Sequence, residues 1–222
     1  MARSVRASLL WGLLIVVSSI FVTACLVPAR FGLAKPNTTL PLALNLSLEQ
    51  RTNFHLVDQD SEGFALYRSA DPDPEAIRHW CELGVVEVMV LSGTADKREQ
   101  LFREHCPQLK LVFNEEQREM VPLDKAFLQQ FDSWVEDLKR GHKKGLFRCQ
   151  AGAHRTGRLA AYYAMKYKGV SLSAAVKEMK QKGVAMESRH HLPLQAAALQ
   201  DYINNKECRY KGSPLEVFCV RD

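Results

Sequence analysis

Residues 145–158 read Gly-Leu-Phe-Arg-Cys-Gln-Ala-Gly-Ala-His-Arg-Thr-Gly-Arg, which sets Cys149 and Arg155 six positions apart around a glycine. Those residue types at that spacing suit phosphate chemistry. A loop that feeds a helix N-terminus points successive backbone N–H groups into one concavity, where the helix dipole adds positive potential. The same field favours a thiolate, the reactive form of a cysteine whose ordinary pKa of about 8.5 leaves it mostly protonated at neutral pH. Arg155 offers a planar fork for two phosphate oxygens, which a lysine cannot match. Gly152 permits a backbone approach that a side chain would obstruct. Thr156 can donate its hydroxyl towards the sulfur. A cysteine and an arginine six apart also arise by chance. Here Gly152, the Arg155-Thr156-Gly157 run, a strand before and a helix after give the spacing its meaning.

The run from Cys149 through Gln150, Ala151, Gly152, Ala153, His154, Arg155 and Thr156 to Gly157 resembles the Cys-x5-Arg signature of the protein tyrosine and dual-specificity phosphatases. Its Gly-x-His-Arg-Thr-Gly ending is similar to the atypical dual-specificity branch, which includes phosphatases acting on inositol phosphates. The resemblance implies that Cys149 is the nucleophile, with Arg155 and the Gln150, Ala151, Gly152, Ala153 and His154 stretch binding phosphate. It implies no metal and no other cofactor. Tyr67-Arg68-Ser69-Ala70-Asp71-Pro72 resembles the Tyr-Arg-Ser-Ala-x-Pro segment of that branch, with Arg68 as a phosphate contact or a structural residue. The family carries histidine just before the cysteine, where this chain has Arg148. A guanidinium there substitutes electrostatically only if it is aimed at the sulfur.

A cysteine phosphatase also needs an acid to protonate the leaving oxygen, and in this family a loop carboxylate upstream of the cysteine serves. Asp124, 25 residues before Cys149 (149 − 124), follows Pro122-Leu123 and resembles the Pro-Asp of the atypical branch. Its rival is Glu119, with Glu115 and Glu116 behind. Asp124 also reads as a helix N-cap, and the two roles are compatible.

The elements that must hold these residues alternate. Residues 53–58 and 64–70 read as strands joined by a turn at Gly63. Residues 74–84 form a helix with proline at its start and glycine past its end. The apolar run 85–91 reads as a strand covered on both faces. Ser92-Gly93-Thr94 is expected to cap a helix reaching His105, followed by a strand at 109–113. Residues 123–138 are an amphipathic helix with Phe127, Phe131, Trp134, Val135 and Leu138 on one face. Helices follow at 156–168, from Ser171, and at 194–203, and Arg158 is expected to brace the phosphate loop. The pattern predicts an α/β domain, a central mostly parallel sheet flanked by helices.

Three regions divide the chain: a leader at 1–30, a tether at 31–51 and a catalytic domain at 52–222. Arg3 and Arg6 precede 19 apolar or small residues, Leu9 to Val27, about enough to span a bilayer. Val22-Thr23-Ala24-Cys25 resembles a bacterial lipobox, which means cleavage and lipidation at Cys25; the alternatives are a retained signal anchor and free secretion. The first two readings tether the domain to a membrane outside the cytoplasm, at a bacterial periplasm or cell surface. Asn37 and Asn45 open glycosylation patterns that are incidental in such a setting.

The net charge is +5, and removing Arg3 and Arg6 leaves +3. That mild basicity fits a small anionic ligand and argues against a nucleic-acid track. His154, Arg158, Lys143 and Lys144 are expected to add charge near the pocket. His190 and His191 are adjacent and face apart, so no metal site is expected. Setting Cys25 and Cys149 aside leaves Cys81, Cys106, Cys208 and Cys219, and Cys208 with Cys219 brackets a Gly-Ser-Pro turn as the favoured pair. The expected function is phosphomonoester hydrolysis by a monomer acting on phosphotyrosine or phosphoserine protein or on an inositol polyphosphate. The alternatives are a membrane-tethered phosphate-binding pseudophosphatase and, with a poorer fit to the Arg-Thr-Gly continuation, a rhodanese-type sulfurtransferase.

Overall fold

The structure, a computed structural model, describes residues 47–100, 103–184 and 186–222. The leader, Cys25 and nearly all of the tether lie outside the described residues. Where the tether was expected to end, helix α1 (Leu48–Thr52) forms instead, because Ser47 and Gln50 make a reciprocal capping box.

Five strands make one sheet in the order β1-β2-β5-β3-β4. They are β1 (His55–Gln59), β2 (Ala65–Ser69), β3 (Val85–Val90), β4 (Lys110–Asn114) and β5 (Lys144–Arg148). Only β1 runs antiparallel, paired to β2 through the Gly63 turn; the other neighbours are parallel. The helices are α2 (Pro74–Glu82), α3 (Lys125–Arg140), α4 (His154–Lys168), α5 (Leu172–Gln181) and α6 (His191–Ile203).

Alternation along the strands sends successive side chains to opposite faces. On one face Leu66, Met89 and Phe147 pack against α3 and α4, with Phe131 meeting Phe147 edge-on at 5.9 Å between ring centres. On the other, Tyr67, Val88, Val90 and Leu146 pack against Ile77 and Trp80 of α2. β5 therefore sits centrally, buried on both faces, and delivers Cys149 at its carboxyl end.

Among the described residues, the helix that Ser92-Gly93-Thr94 was expected to cap, reaching His105, does not form. Two short 3-10 turns, Ala95–Lys97 and Arg103–His105, stand there instead. The Thr94 side chain makes no cap; it meets Ser92 Oγ and accepts from Arg148. The Ala95 amide donates to Asn114 Oδ1 at 3.0 Å, and Glu99 is drawn inward to Arg148. Cys106 is bridged to Cys81 of α2, and Cys208 is bridged to Cys219. Tertiary demands on this segment override its local helical signal.

Candidate active site

The loop between β5 and α4 is anchored at its β5 end by backbone. Cys149 N–H donates to the Ser69 carbonyl at 3.3 Å, Asp71 N–H to the Gln150 carbonyl at 3.1 Å, and Leu91 N–H to the Arg148 carbonyl at 2.8 Å. Gly152 adopts φ +61° and lies so close to β2 that a Cβ there would meet the Ala70 nitrogen at 2.5 Å. Asn53, itself left-handed at φ 46°, donates from Nδ2 to the Gly152 carbonyl at 2.7 Å and to Lys182 O at 3.0 Å. Ala153 begins α4 without a side-chain cap, so the first amides of the helix face the loop with no intrahelical acceptor. That is an anion-binding geometry.

Cys149 is 2 % exposed, and Thr156 Oγ1 lies 3.8 Å from its sulfur. Arg155 is half-buried and donates one N–H to the Leu91 carbonyl at 3.2 Å. A guanidinium carries five donors, so this bond orients the fork and leaves others for an anion. Gln150, Ala151, Gly152, Ala153, His154, Arg155 and Thr156 thus share one loop with Cys149, as their order required.

Three arginines are buried around it, and each is handled differently. Arg148 is fully buried and ion-paired to Glu99 and Asp71, with Ser92 Oγ and Thr94 Oγ1 each accepting at 3.0 Å. Burial pushes the Glu99 carboxyl upward, and the Arg148 bonds oppose that. Its register position opposite Val90 puts the Arg148 side chain on the α2 face, away from Cys149. The substitution of the family histidine by an arginine aimed at the sulfur does not occur. Arg158, also buried, does not brace the phosphate loop as expected. It donates to the carbonyls of Arg118, Glu119 and Val121 and to Gln195, fixing residues 118–121. Burial lowers its pKa to about 10. Arg68 is buried on the Cys149 face and donates to the Lys182 carbonyl at 3.1 Å.

The two acid candidates are held differently. Asp124 caps α3, accepting from Phe127 N–H at 2.7 Å, with Arg221 3.6 Å away, and it lines a cavity of about 350 Å³ with Glu115, Glu116 and Arg118. Glu119 is the one joined to the signature loop. Its carboxylate lies 3.0 Å from His154, 3.2 Å from Arg189 and 3.1 Å from His191. His154 meets the Val184 carbonyl with its other ring nitrogen at 2.8 Å, so it ties two loops together. Sequence reasoning missed this junction, which joins residues far apart in the chain. Lys143 and Lys144 do not reach the pocket. They stand at the start of β5, held by Glu87 and the Leu83 carbonyl. Among the described residues no cluster of metal-ligating side chains occurs.

His55 supplies a pH dependence. Burial first, then the charges of Arg68 and Lys182, push its pKa from 6.5 down to about 4. Its Nε2 lies 2.7 Å from Asn53 Oδ1, and Asn53 holds the Gly152 carbonyl. A depressed histidine pKa means that the fold prefers the neutral ring. The contribution is whole above pH 6.5 and is lost as pH falls towards 4. Thermal unfolding should show the melting temperature of the wild type falling across that window and His55→Gln falling less. An equal fall in both would contradict this role.

No family model and no curated protein matches the chain. Solved structures do. TpbA of P. aeruginosa is 20% identical over 70% of this chain and 92% of its own, with a TM-score of 0.54. Tk-PTP in its active form is 17% identical over 67% of this chain and 97% of its own, with a TM-score of 0.50. The core catalytic domain of the PP-IP phosphatase SIW14 from S. cerevisiae is 22% identical over 70% of this chain and 86% of its own, with a TM-score of 0.51. At such identities the likeness establishes architecture, and with the sheet order and loop above it gives one conclusion: the chain has the fold of the cysteine-based tyrosine and dual-specificity phosphatases.

Proposed function

We propose that this chain is a cysteine-dependent phosphomonoesterase. The observation that carries the reading is the buried Cys149 at the mouth of an uncapped helix-opening loop, with Thr156 beside the sulfur and Arg155 half-buried at the helix start. The Cys149 sulfur attacks phosphorus while the bond to the leaving oxygen breaks and that oxygen takes a proton from Asp124. Loop amides and Arg155 offset the charge on the equatorial oxygens. Thr156 donates to the sulfur as it departs. Water then attacks the phosphocysteine, gives its proton to the Asp124 carboxylate, and releases phosphate and the thiolate.

Asp124 is assigned the acid role on its resemblance to the Pro-Asp of the atypical branch and because three basic side chains lie within 3.2 Å of the Glu119 carboxylate. The substrates that fit are phosphorylated protein or an inositol polyphosphate. TpbA has been crystallised with pTyr, and SIW14 is a PP-IP phosphatase. Exposed Val184, whose carbonyl meets His154, and Arg189, which shares Glu119 with that histidine, offer an apolar and a cationic group beside the loop for aryl and polyanionic esters.

The experiment compares wild type, Cys149→Ser and Asp124→Asn on para-nitrophenyl phosphate, a serine phosphopeptide and an inositol polyphosphate. Cys149→Ser should lose turnover on all three while still binding inorganic phosphate; turnover like the wild type would end the cysteine mechanism. A wild type that binds phosphate without turnover would make the chain a pseudophosphatase. An alkyl oxygen departs poorly unprotonated, so Asp124→Asn should slow the alkyl esters by about 10²–10⁴-fold and the aryl ester far less. Asparagine caps a helix nearly as well as aspartate, so unchanged alkyl-ester turnover would reduce Asp124 to a cap and pass the role to Glu119.

We also propose that the domain is held at a membrane outside the cytoplasm. The bridged Cys81–Cys106 and Cys208–Cys219 pairs support an oxidising compartment, and the lipobox-like run ending at Cys25 supports a lipid anchor. Metabolic labelling with a fatty-acid analogue should mark the wild type and not Cys25→Ser. Unlabelled wild type retaining the mass of its leader would point to a signal anchor.

A further inference from the structure

Arg68 is a buried cation, 1 % exposed, that makes no ion pair among the described residues. One N–H donates to the Lys182 carbonyl at 3.1 Å, and Nε has no acceptor. Arg148, equally buried, has two carboxylates, and Arg158 has four oxygen acceptors. Burying a guanidinium with a single carbonyl is costly unless another negative charge is near.

The sheet says which charge that is. Arg68 stands opposite Phe147 in the β2–β5 register, and two-residue alternation puts Phe147 and Cys149 on one face. Arg68 therefore points to the Cys149 side of the sheet, and Arg148 to the other. Its guanidinium lies under the first turn of α4, where a Cβ on Gly157 would be 3.9 Å from Nη1. Gly157 adjoins Thr156, whose hydroxyl touches the sulfur.

We propose that Arg68 is the electrostatic partner of the Cys149 thiolate, filling the role left vacant because Arg148 faces away. It acts through the sulfur and is a positioning residue, with no contact to substrate required. The proposal rests on Cys149 being the nucleophile. Burial lowers the Arg68 pKa to about 10, and the charges of Glu178 and Cys149 oppose that. Glu178 is already paired with Lys182 at 2.8 Å. The other charged or titratable groups around the pair are His55 on β1, Lys182 after α5, and His154, Arg155 and Arg158 on α4. The carboxylates on this side of the sheet have partners of their own: Glu178 has Lys182, Asp58 has Tyr163 and Lys168, Asp132 has Tyr162 and Lys166, and Glu119 has His154. Arg68 and the Cys149 sulfur are the two groups whose charges act on one another without such a pairing among the described residues.

The test reads the thiol directly, without turnover. Iodoacetamide alkylation of Cys149, followed by mass spectrometry, is measured from about pH 5 to about pH 9 in wild type, Arg68→Met and Arg68→Lys. Arg68→Met should alkylate at least about tenfold more slowly than wild type near pH 6 and recover at high pH, because it loses thiolate and keeps the thiol. Arg68→Lys should stay close to wild type. Identical profiles for all three would overturn the proposal while leaving the phosphatase reading intact. A Cys149 that is unreactive in the wild type at every pH would defeat both.

If Arg68→Met does not fold, the wild type and Cys149→Ser decide the matter. A thiolate paired with Arg68 stabilises the fold progressively as pH rises towards the unfolded cysteine value of about 8.5, and serine gains nothing. The melting-temperature difference between the two should widen from about pH 5 to about pH 8. A constant difference would overturn the pairing.

Discussion

With any side chain at Gly152, the loop carrying Cys149 would collide with the end of β2: a Cβ would meet the Ala70 nitrogen at 2.5 Å and the Ser69 carbonyl carbon at 2.7 Å. That close approach fixes the rest of the site. It lets the Ser69 carbonyl receive the Cys149 amide, the Asp71 amide reach Gln150 and Asn53 hold the Gly152 carbonyl. It also sets the course of α4, whose uncapped N-terminus then faces the sulfur. The loop is positioned by backbone, and its side chains are left to act on a ligand.

Around that frame the problem is charge. Three guanidiniums are buried within one residue layer of the loop, each at a cost in desolvation that its surroundings must offset. Arg148 is neutralised by Asp71 and Glu99 on the far face of the sheet and joins the ends of β5 and β2. Arg158 is spread over the carbonyls of residues 118–121, which places Glu119 against His154. Arg68 has one carbonyl and faces Cys149. On the proposed reading, the cations that hold loops together are thereby separate from the one whose field falls on the Cys149 sulfur. Arg155 differs from all three in being half-exposed and oriented by a single carbonyl.

Much of this was readable in the chain. Strand periods, the Pro74 start and the apolar stripe of α3 predicted the elements because each is a local signal, and Asp124 does cap α3. The parallel sheet followed from alternation, and the Cys208–Cys219 pair from its bracketed turn. The expected helix over residues 92–105 failed because Asn114, Arg148 and Cys81 claim its groups from elsewhere in the fold. Arg158 braces residues 118–121 and not the phosphate loop, since only packing decides which carbonyls a helical arginine meets. Lys143 and Lys144 were near Cys149 in sequence, yet a strand's length separates them from it in space. The junction of Glu119, His154, Arg189 and His191 has no local signature at all. The direction of Arg148 did have one. Two residues adjacent on a strand face opposite ways, so an arginine beside Cys149 was bound to leave it, while Arg68 on the neighbouring strand needed the register to be placed.

The central claim is that the Cys149 sulfur forms a bond to phosphorus. The most direct measurement is rapid acid quench of the wild type during turnover of para-nitrophenyl phosphate, followed by peptide mass spectrometry. The account predicts a transient phosphoryl group on the peptide that contains Cys149, absent before substrate is added and gone once substrate is exhausted. Turnover with Cys149 unmodified throughout, or with the phosphoryl group on another residue, would contradict it.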